Sequence, residues 1–215
     1  MIPKTIHQTF KTRRLPLLVR LNTLKTKLLN REFAYCFHTD EDIVEFLRTE
    51  YGQDIVSLYL RINIGAAKAD FFRYALLYKK GGVYIDVDSG CTRSLQGLIL
   101  PDDQAIIAKE RNPDLYVQWA LFYRAGHPFL ERTIDNVLGN LSANRFPHDV
   151  HAMTGPGVYT RSIKECLAAD PNIPHRVHGV DYSGYLRARG RFVTGLVDKK
   201  DHWVEAQRTT PVLKP

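Results

Sequence analysis

The sequence predicts one α/β domain, with a mixed, largely parallel sheet lying between helices. Three observations predict it. The chain has 215 residues, 44% hydrophobic and 25% charged, which suits a single globular unit with a sizeable core. Short β-rich runs alternate with helical periods along the chain. In the stretch from Ala66 to Asp88, AAKADFFRYALLYKKGGVYIDVD, both periods meet around a pair of glycines.

That stretch reads as helix, break and strand. No Gly or Pro interrupts Ala66 to Lys80; Phe72 and Leu76 recur at i and i+4, and Asp70 and Arg73 stand at i and i+3 on a neighbouring face. Gly81 is a natural helix stop, because a left-handed backbone there carries no Cβ penalty, and Gly82 adds a second pivot. The period then becomes two: Val83, Ile85 and Val87 point towards a core, and Tyr84, Asp86 and Asp88 away from it. Two Asp at i and i+2 of an ideal strand lie roughly 6–7 Å apart at Cα. Both ligate one cation only where the strand bends, which Gly90 permits; otherwise one binds metal and the other holds water or a substrate hydroxyl. Asp-x-Asp alone is common and also marks solvated strand ends. The ordered run from Asp70 to Asp88 is what gives the pair weight.

The other elements follow in order. Ile2 to Phe10 is the first strand, with Pro3 tolerated near its start. Leu15 to Leu29 is a helix whose stripe of Leu17, Leu18, Leu21, Leu24 and Leu28 is expected to pack on the sheet. The alternative is peripheral membrane contact, since residues 11–31 carry Lys11, Arg13, Arg14, Arg20, Lys25, Lys27 and Arg31 and no acid. Glu32 to His38 is a strand. Thr39 caps a helix to about Glu50, and capping explains Asp40, Glu41 and Asp42 better than a metal does. A helical turn at Asp54 to Leu60 precedes the central helix. After Asp88 come a turn within Ser94 to Leu100, a strand at Ala105 to Ala108, an aromatic segment at Tyr116 to Tyr123, and a helix from Phe129 to Leu141 opened by Gly126-His127-Pro128. His127 reads as a helix-start feature rather than a base. His148 and His151 lack a third zinc ligand nearby. Thr154-Gly155-Pro156-Gly157 opens a helix from Val158 to Leu167, and glycine backbone there allows close approach of an anion or sugar. Residues 1–208 are read as the domain and 209–215 as a linker-like tail.

Four segments in order carry a family resemblance: IPKTIHQTF at 2–10, the Asp70 to Asp88 run, VQWALFYRAGHP at 117–128 and MTGPG at 153–157. They resemble the sugar-nucleotide glycosyltransferases of the GT-A fold with a DxD motif. The likeness is to the outer-chain, initiation-type mannosyltransferases of glycosyltransferase family 32, with clostridial toxin glucosyltransferases as cousins. Small members of this kind also occur in large algal viruses that glycosylate their capsid proteins. Phe10 and Met153 stand where the family has Trp, and Ala206-Gln207 where it has Ser-Trp.

The resemblance implies a GT-A domain, Rossmann-like, moving a hexosyl group from a nucleotide diphosphate sugar to a glycan or glycoprotein hydroxyl with retention. UDP-sugar is slightly preferred and GDP-mannose is the close second. Asp88 and Asp86, with His202, are implied metal residues for Mn²⁺ or Mg²⁺; Asp86, Asp88 and Arg73 are the catalytic set. The donor-binding set is His7, Gln8, Thr9, Phe10, Asp70, Arg73, Tyr84, Asp86, Gln118 and Gly155. For His7, a hydrogen-bonded core place is an equal reading. A metal-dependent nucleotide-sugar hydrolase or a membrane-binding module are the competing classes.

The balance of 30 Lys and Arg against 23 Asp and Glu gives +7, a sign that fits anionic substrates or lipid; no nucleic-acid partner is expected. Pro, Lys, His and Gln break any leader-like run in MIPKTIHQTF, and three cysteines without CxxC spacing point away from a disulfide framework. A cytoplasmic setting is the expectation.

Overall fold

The structure is a computed structural model that describes residues 1–188 and 203–214. Its strands are β1 (Thr5–Thr9), β2 (Ala34–His38), β3 (Gly82–Ile85), β4 (Ser89–Cys91), β5 (Ala105–Ala108), β6 (Ala120–Tyr123), β7 (Arg176–His178) and β8 (Leu186–Ala188). Its helices are α1 (Leu17–Leu29), α2 (Asp40–Tyr51), α3 (Gln53–Arg61), α4 (Gly65–Lys80), α5 (Pro128–Ser142), α6 (Val150–Met153), α7 (Pro156–Ala169) and α8 (Trp203–Thr209). A six-stranded sheet runs β2-β1-β3-β6-β5-β7, and β4 pairs with β8 apart from it. β1 is parallel to β2 and β3, β5 is parallel to β7, and only β6 runs antiparallel to its neighbours. This is the mixed, mostly parallel sheet that the sequence predicts.

Both sheet faces are covered. Tyr84 and Leu121 join α4, α5 and α7 in one core, while Ile6, Val83, Ile85 and Phe122 join Leu95, Leu98 and Tyr182 in the other. α4 is buried almost all round from Phe71 to Leu77, as expected of a helix packed between layers. Gly81 and Gly82 let it return directly into β3. Their φ values are 65° and 104°, and a Cβ at Gly82 would meet the Thr5 carbonyl at 2.7 Å. Thr39 and Asp42 form a reciprocal cap on α2, and His127 caps α5 by accepting the Phe129 N–H at 3.2 Å. Both match the capping assignments made from sequence.

Four expectations are corrected. β3 ends at Ile85, not Asp88, because Ser89 N–H donates to the Asp86 carbonyl at 2.9 Å and closes a turn. The leucine stripe of α1 does not pack on the sheet; Val19, Asn22, Thr23 and Thr26 face inward and the leucines face out. The inward side is polar because it lies on backbone that needs donors. Asn22 gives its amide to Val87 O at 2.9 Å and Ser89 O at 2.6 Å. The tail is not a free linker: Leu213 bridges Ile62, Asn63 N–H donates to Val212 O at 2.7 Å, and Val212 and Leu213 are buried. The close approach expected along 155–157 does not extend to Gly155, which is buried, while Gly157 is half-buried. The Gly155 amide is bonded to Val150 O, and the Cβ space of Gly157 is filled by His151.

Candidate active site

β1 and β3 are parallel, so their C-terminal ends share one edge of the sheet, where the start of β6 also lies. Asp86 N–H donates to Trp119 O at 2.8 Å, fixing the turn that follows β3. Gln8, fully buried on β1, donates to the carbonyls of Ile85 (3.2 Å) and Asp86 (3.4 Å) and accepts from the Tyr35 hydroxyl. Together with Asn22 from the other side, these bonds hold the backbone of residues 85–89 from three directions.

Arg73 organises the side chains. Its Nε donates to Ala69 O (3.2 Å) and its Nη1 to Gln118 O (2.7 Å). The fork faces Asp86 on both oxygens, Nη2–Oδ1 at 3.1 Å and Nη1–Oδ2 at 3.4 Å, and Nη2 also meets Asp70 Oδ1 at 3.4 Å. Three of the guanidinium's N–H donors are hydrogen-bonded and Nη2 completes ion pairs with both acids, while its plane stacks over Tyr84, 4.7 Å from the ring centroid. Asp70 also accepts from Gln118 Nε2 (2.7 Å) and Thr154 Oγ1 (2.9 Å). Gln118 Nε2 donates to Tyr74 as well, whose hydroxyl donates to Thr154 O.

Burial is the leading influence on both flanking carboxyls. It pushes Asp70 up to about 6, with Arg73 and the bonds from Thr154 and Gln118 acting against it. Asp86 is raised by the same cause and opposed chiefly by Arg73, while Arg73 stays protonated. Asp88 differs. It is half-buried on the turn, and among the described residues no Lys or Arg pairs with it. Burial, then the neighbouring Asp86 charge, raise it to about 6.

The sequence-predicted residues therefore divide. Asp86 and Asp88 meet at the open edge. Asp70, Arg73, Tyr84, Gln118, Gln8 and His7 are all buried and held by protein partners. His7 shares a hydrogen bond of 3.1 Å with His38, and burial lowers it to about 4. Thr9 and Phe10 are half-buried beside His38, with Thr9 Oγ1 donating to His38 O at 2.9 Å. Gly155 is a buried helix cap. His202 lies outside the described residues. Sequence reasoning missed Asn22 and Thr154; the signal for Asn22 was a polar face hidden behind a leucine stripe.

The residues present fit a divalent cation. Asp88 is a carboxylate without an ion-pair partner among the described residues, beside a second acid, an arrangement a hard cation relieves. Among the described residues no group of three or more His, Cys, Asp and Glu converges.

Comparison with known proteins agrees with this geometry. Residues 18–112 match the family described as glycosyltransferase sugar-binding region containing DXD motif. Inositol phosphoceramide mannosyltransferase 3 of Schizosaccharomyces pombe is 32% identical over 157 residues, 72% of this chain and 43% of that protein. Mannosyl phosphorylinositol ceramide synthase SUR1 of Saccharomyces cerevisiae is 37% identical over 99 residues, 46% of this chain and 26% of that protein. The chain thus spans under half the length of these curated relatives. The solved PaToxG glycosyltransferase shares the fold, with a TM-score of 0.65, 16% identity, and coverage of 80% of this chain and 73% of that one.

Proposed function

The chain belongs with the glycosyltransferases whose sugar-binding region contains a DXD motif, and from that premise we propose that it transfers a mannosyl group from GDP-mannose to a glycan hydroxyl carried on lipid or protein. One observation carries the reading: Asp88 stands half-buried and without an ion-pair partner among the described residues, beside Asp86, which Arg73 holds on both oxygens. The mannosyl donor is supported by the relatives' names. UDP-hexose is the second reading, favoured by sequence resemblance.

Asp88, with Asp86 directly or through water, holds a Mn²⁺ or Mg²⁺ ion. When bound, that ion supplies positive charge against the leaving diphosphate. Arg73 opposes the effect of burial on Asp86 and fixes its carboxylate on both oxygens, so that the group is oriented before substrate arrives. Asn22 and Gln8 hold the turn backbone so that Asp88 does not swing away. Asp70 is fully engaged by Arg73, Gln118 and Thr154, and keeps the α4 network in register. Transfer with retention is what the family resemblance implies. With no carboxylate assigned as glycosyl nucleophile, a front-face course, in which the leaving phosphate accepts the acceptor proton, is the more economical one.

A thermal-shift titration with Mn²⁺ tests the donor. GDP-mannose should raise the midpoint in a concentration-dependent way, since it binds only the folded state. A shift with UDP-hexoses and none with GDP-mannose overturns the donor assignment. Release of free mannose with no glycosylated acceptor would favour the hydrolase class instead.

A further inference from the structure

The face of α1 turned away from the protein has no part in the site just described. Leu17, Leu21, Leu24 and Leu28 recur at i, i+4, i+7 and i+11, one narrow line along the helix, and are 70, 52, 49 and 52% exposed. Cations flank this line: Arg20 and Lys27 fall on one side and Lys25 on the other, all three exposed. Acids are absent from the whole of residues 11–31. The opposite side of the same helix, Val19, Asn22, Thr23 and Thr26, is the one the fold buries. The helix thus presents its apolar residues to the outside and its polar residues to the protein.

We propose that α1 is a membrane-docking helix that lies along the surface of an anionic lipid bilayer. Charge complementarity decides the occupant. A partner protein helix would need acids matched one by one to the flanking cations, whereas an anionic bilayer supplies an apolar layer below a sheet of negative headgroups. Leucines in line with cations at their borders fit those two layers at once. No helix among the described residues is long and apolar enough to cross a membrane, so this contact is one of lying on the surface. Its consequence for the site is geometric. Asn22, on the reverse side of α1, grips Val87 and Ser89. The bilayer surface would therefore lie about one helix diameter, roughly 10 Å, behind the Asp86–Asp88 turn. An acceptor anchored in lipid would meet the site from the membrane plane.

The test is co-sedimentation of the whole chain with vesicles of phosphatidylcholine alone and with about a third phosphatidylserine, without donor or metal, so that it stands apart from catalysis. Wild type should sediment with the anionic vesicles, and salt should weaken the binding. L21Q/L24Q/L28Q should bind at least about tenfold more weakly at an unchanged thermal midpoint, and R20Q/K25Q should lose the preference for phosphatidylserine. Absence of wild-type binding, or equal binding by the triple variant, overturns the proposal. So does a wild-type dimer that the triple variant converts to monomer, which would assign the face to a second copy. A lowered midpoint in the triple variant would show a face packed within the fold and overturns it too.

Discussion

Replacing Arg73 with Lys probes the network most sharply. The guanidinium donates hydrogen bonds to Ala69 O, Gln118 O and Asp86 Oδ2, and its Nη2 forms ion pairs with Asp70 and Asp86. An ammonium has three donors on one atom and no planar fork. At least two of Gln118 O, Asp70 and Asp86 then lose their partner in a buried place. Each unsatisfied buried group costs about 1–3 kcal/mol, so Arg73→Lys should destabilise the fold by about 2–6 kcal/mol. That differs from a purely functional defect, which sequence alone implied for this residue. In a chain of this size, the loss corresponds to a midpoint fall on the order of 10 °C. Urea unfolding of both proteins at equal pH and salt measures it, and Mn²⁺ titration of the folded variant should show weaker binding as Asp86 is released. Stability within about 0.5 kcal/mol of wild type would refute the reasoning and leave Arg73 an ordinary surface-like charge.

Other expectations follow from the same contacts. Gly82→Ala should prevent normal folding or cost several kcal/mol, since φ is 104° and the new Cβ would sit 2.7 Å from Thr5 O; circular dichroism and thermal melts check it. Asn22→Ala removes both donors from the Asp turn and should weaken Mn²⁺ binding at least about fivefold in calorimetry, where an unchanged affinity would count against the clamp. Asp70 and Asp88 are both raised to about 6 from an ordinary 3.8. Their protonation therefore contributes stability that is full below about 3.8 and lost as pH rises through about 6. Mn²⁺ competes with the Asp88 proton, so its affinity should climb from pH 5 to 7; a pH-independent affinity would contradict the metal assignment.

The fold was legible where period and punctuation agree. Gly81-Gly82 marked the passage from α4 to β3, and Thr39 with Asp42 marked the start of α2, because each residue type serves a local backbone need. Two features were hidden for a shared reason: local pattern does not reveal what lies opposite. The stripe on α1 looks like a core face until Val87 and Ser89 are seen to need donors from Asn22. Alternation through Asp88 looks like continued strand until Ser89 closes a turn on Asp86. The tail looks extended from its sequence, yet residues 211–214 lie against Arg61 to Asn63 and bury Val212 and Leu213. In the site, Asp86 and Asp88 were legible as an open pair. The burial of Asp70, Arg73, Tyr84 and Gln118 was not, since spacing on one helix does not report that a strand and two loops close over it.

The central claim is that Asp88 holds the cation on which donor turnover depends, and Asp88→Asn tests it most directly. Mannosyl transfer from GDP-mannose, followed by mass spectrometry at saturating Mn²⁺, should fall by at least about a hundredfold, equivalent to roughly 2.7 kcal/mol. The variant should keep or exceed the wild-type thermal midpoint without metal, because a raised, uncompensated carboxylate has been removed. Wild-type transfer by Asp88→Asn, with the same Mn²⁺ requirement, would contradict the account.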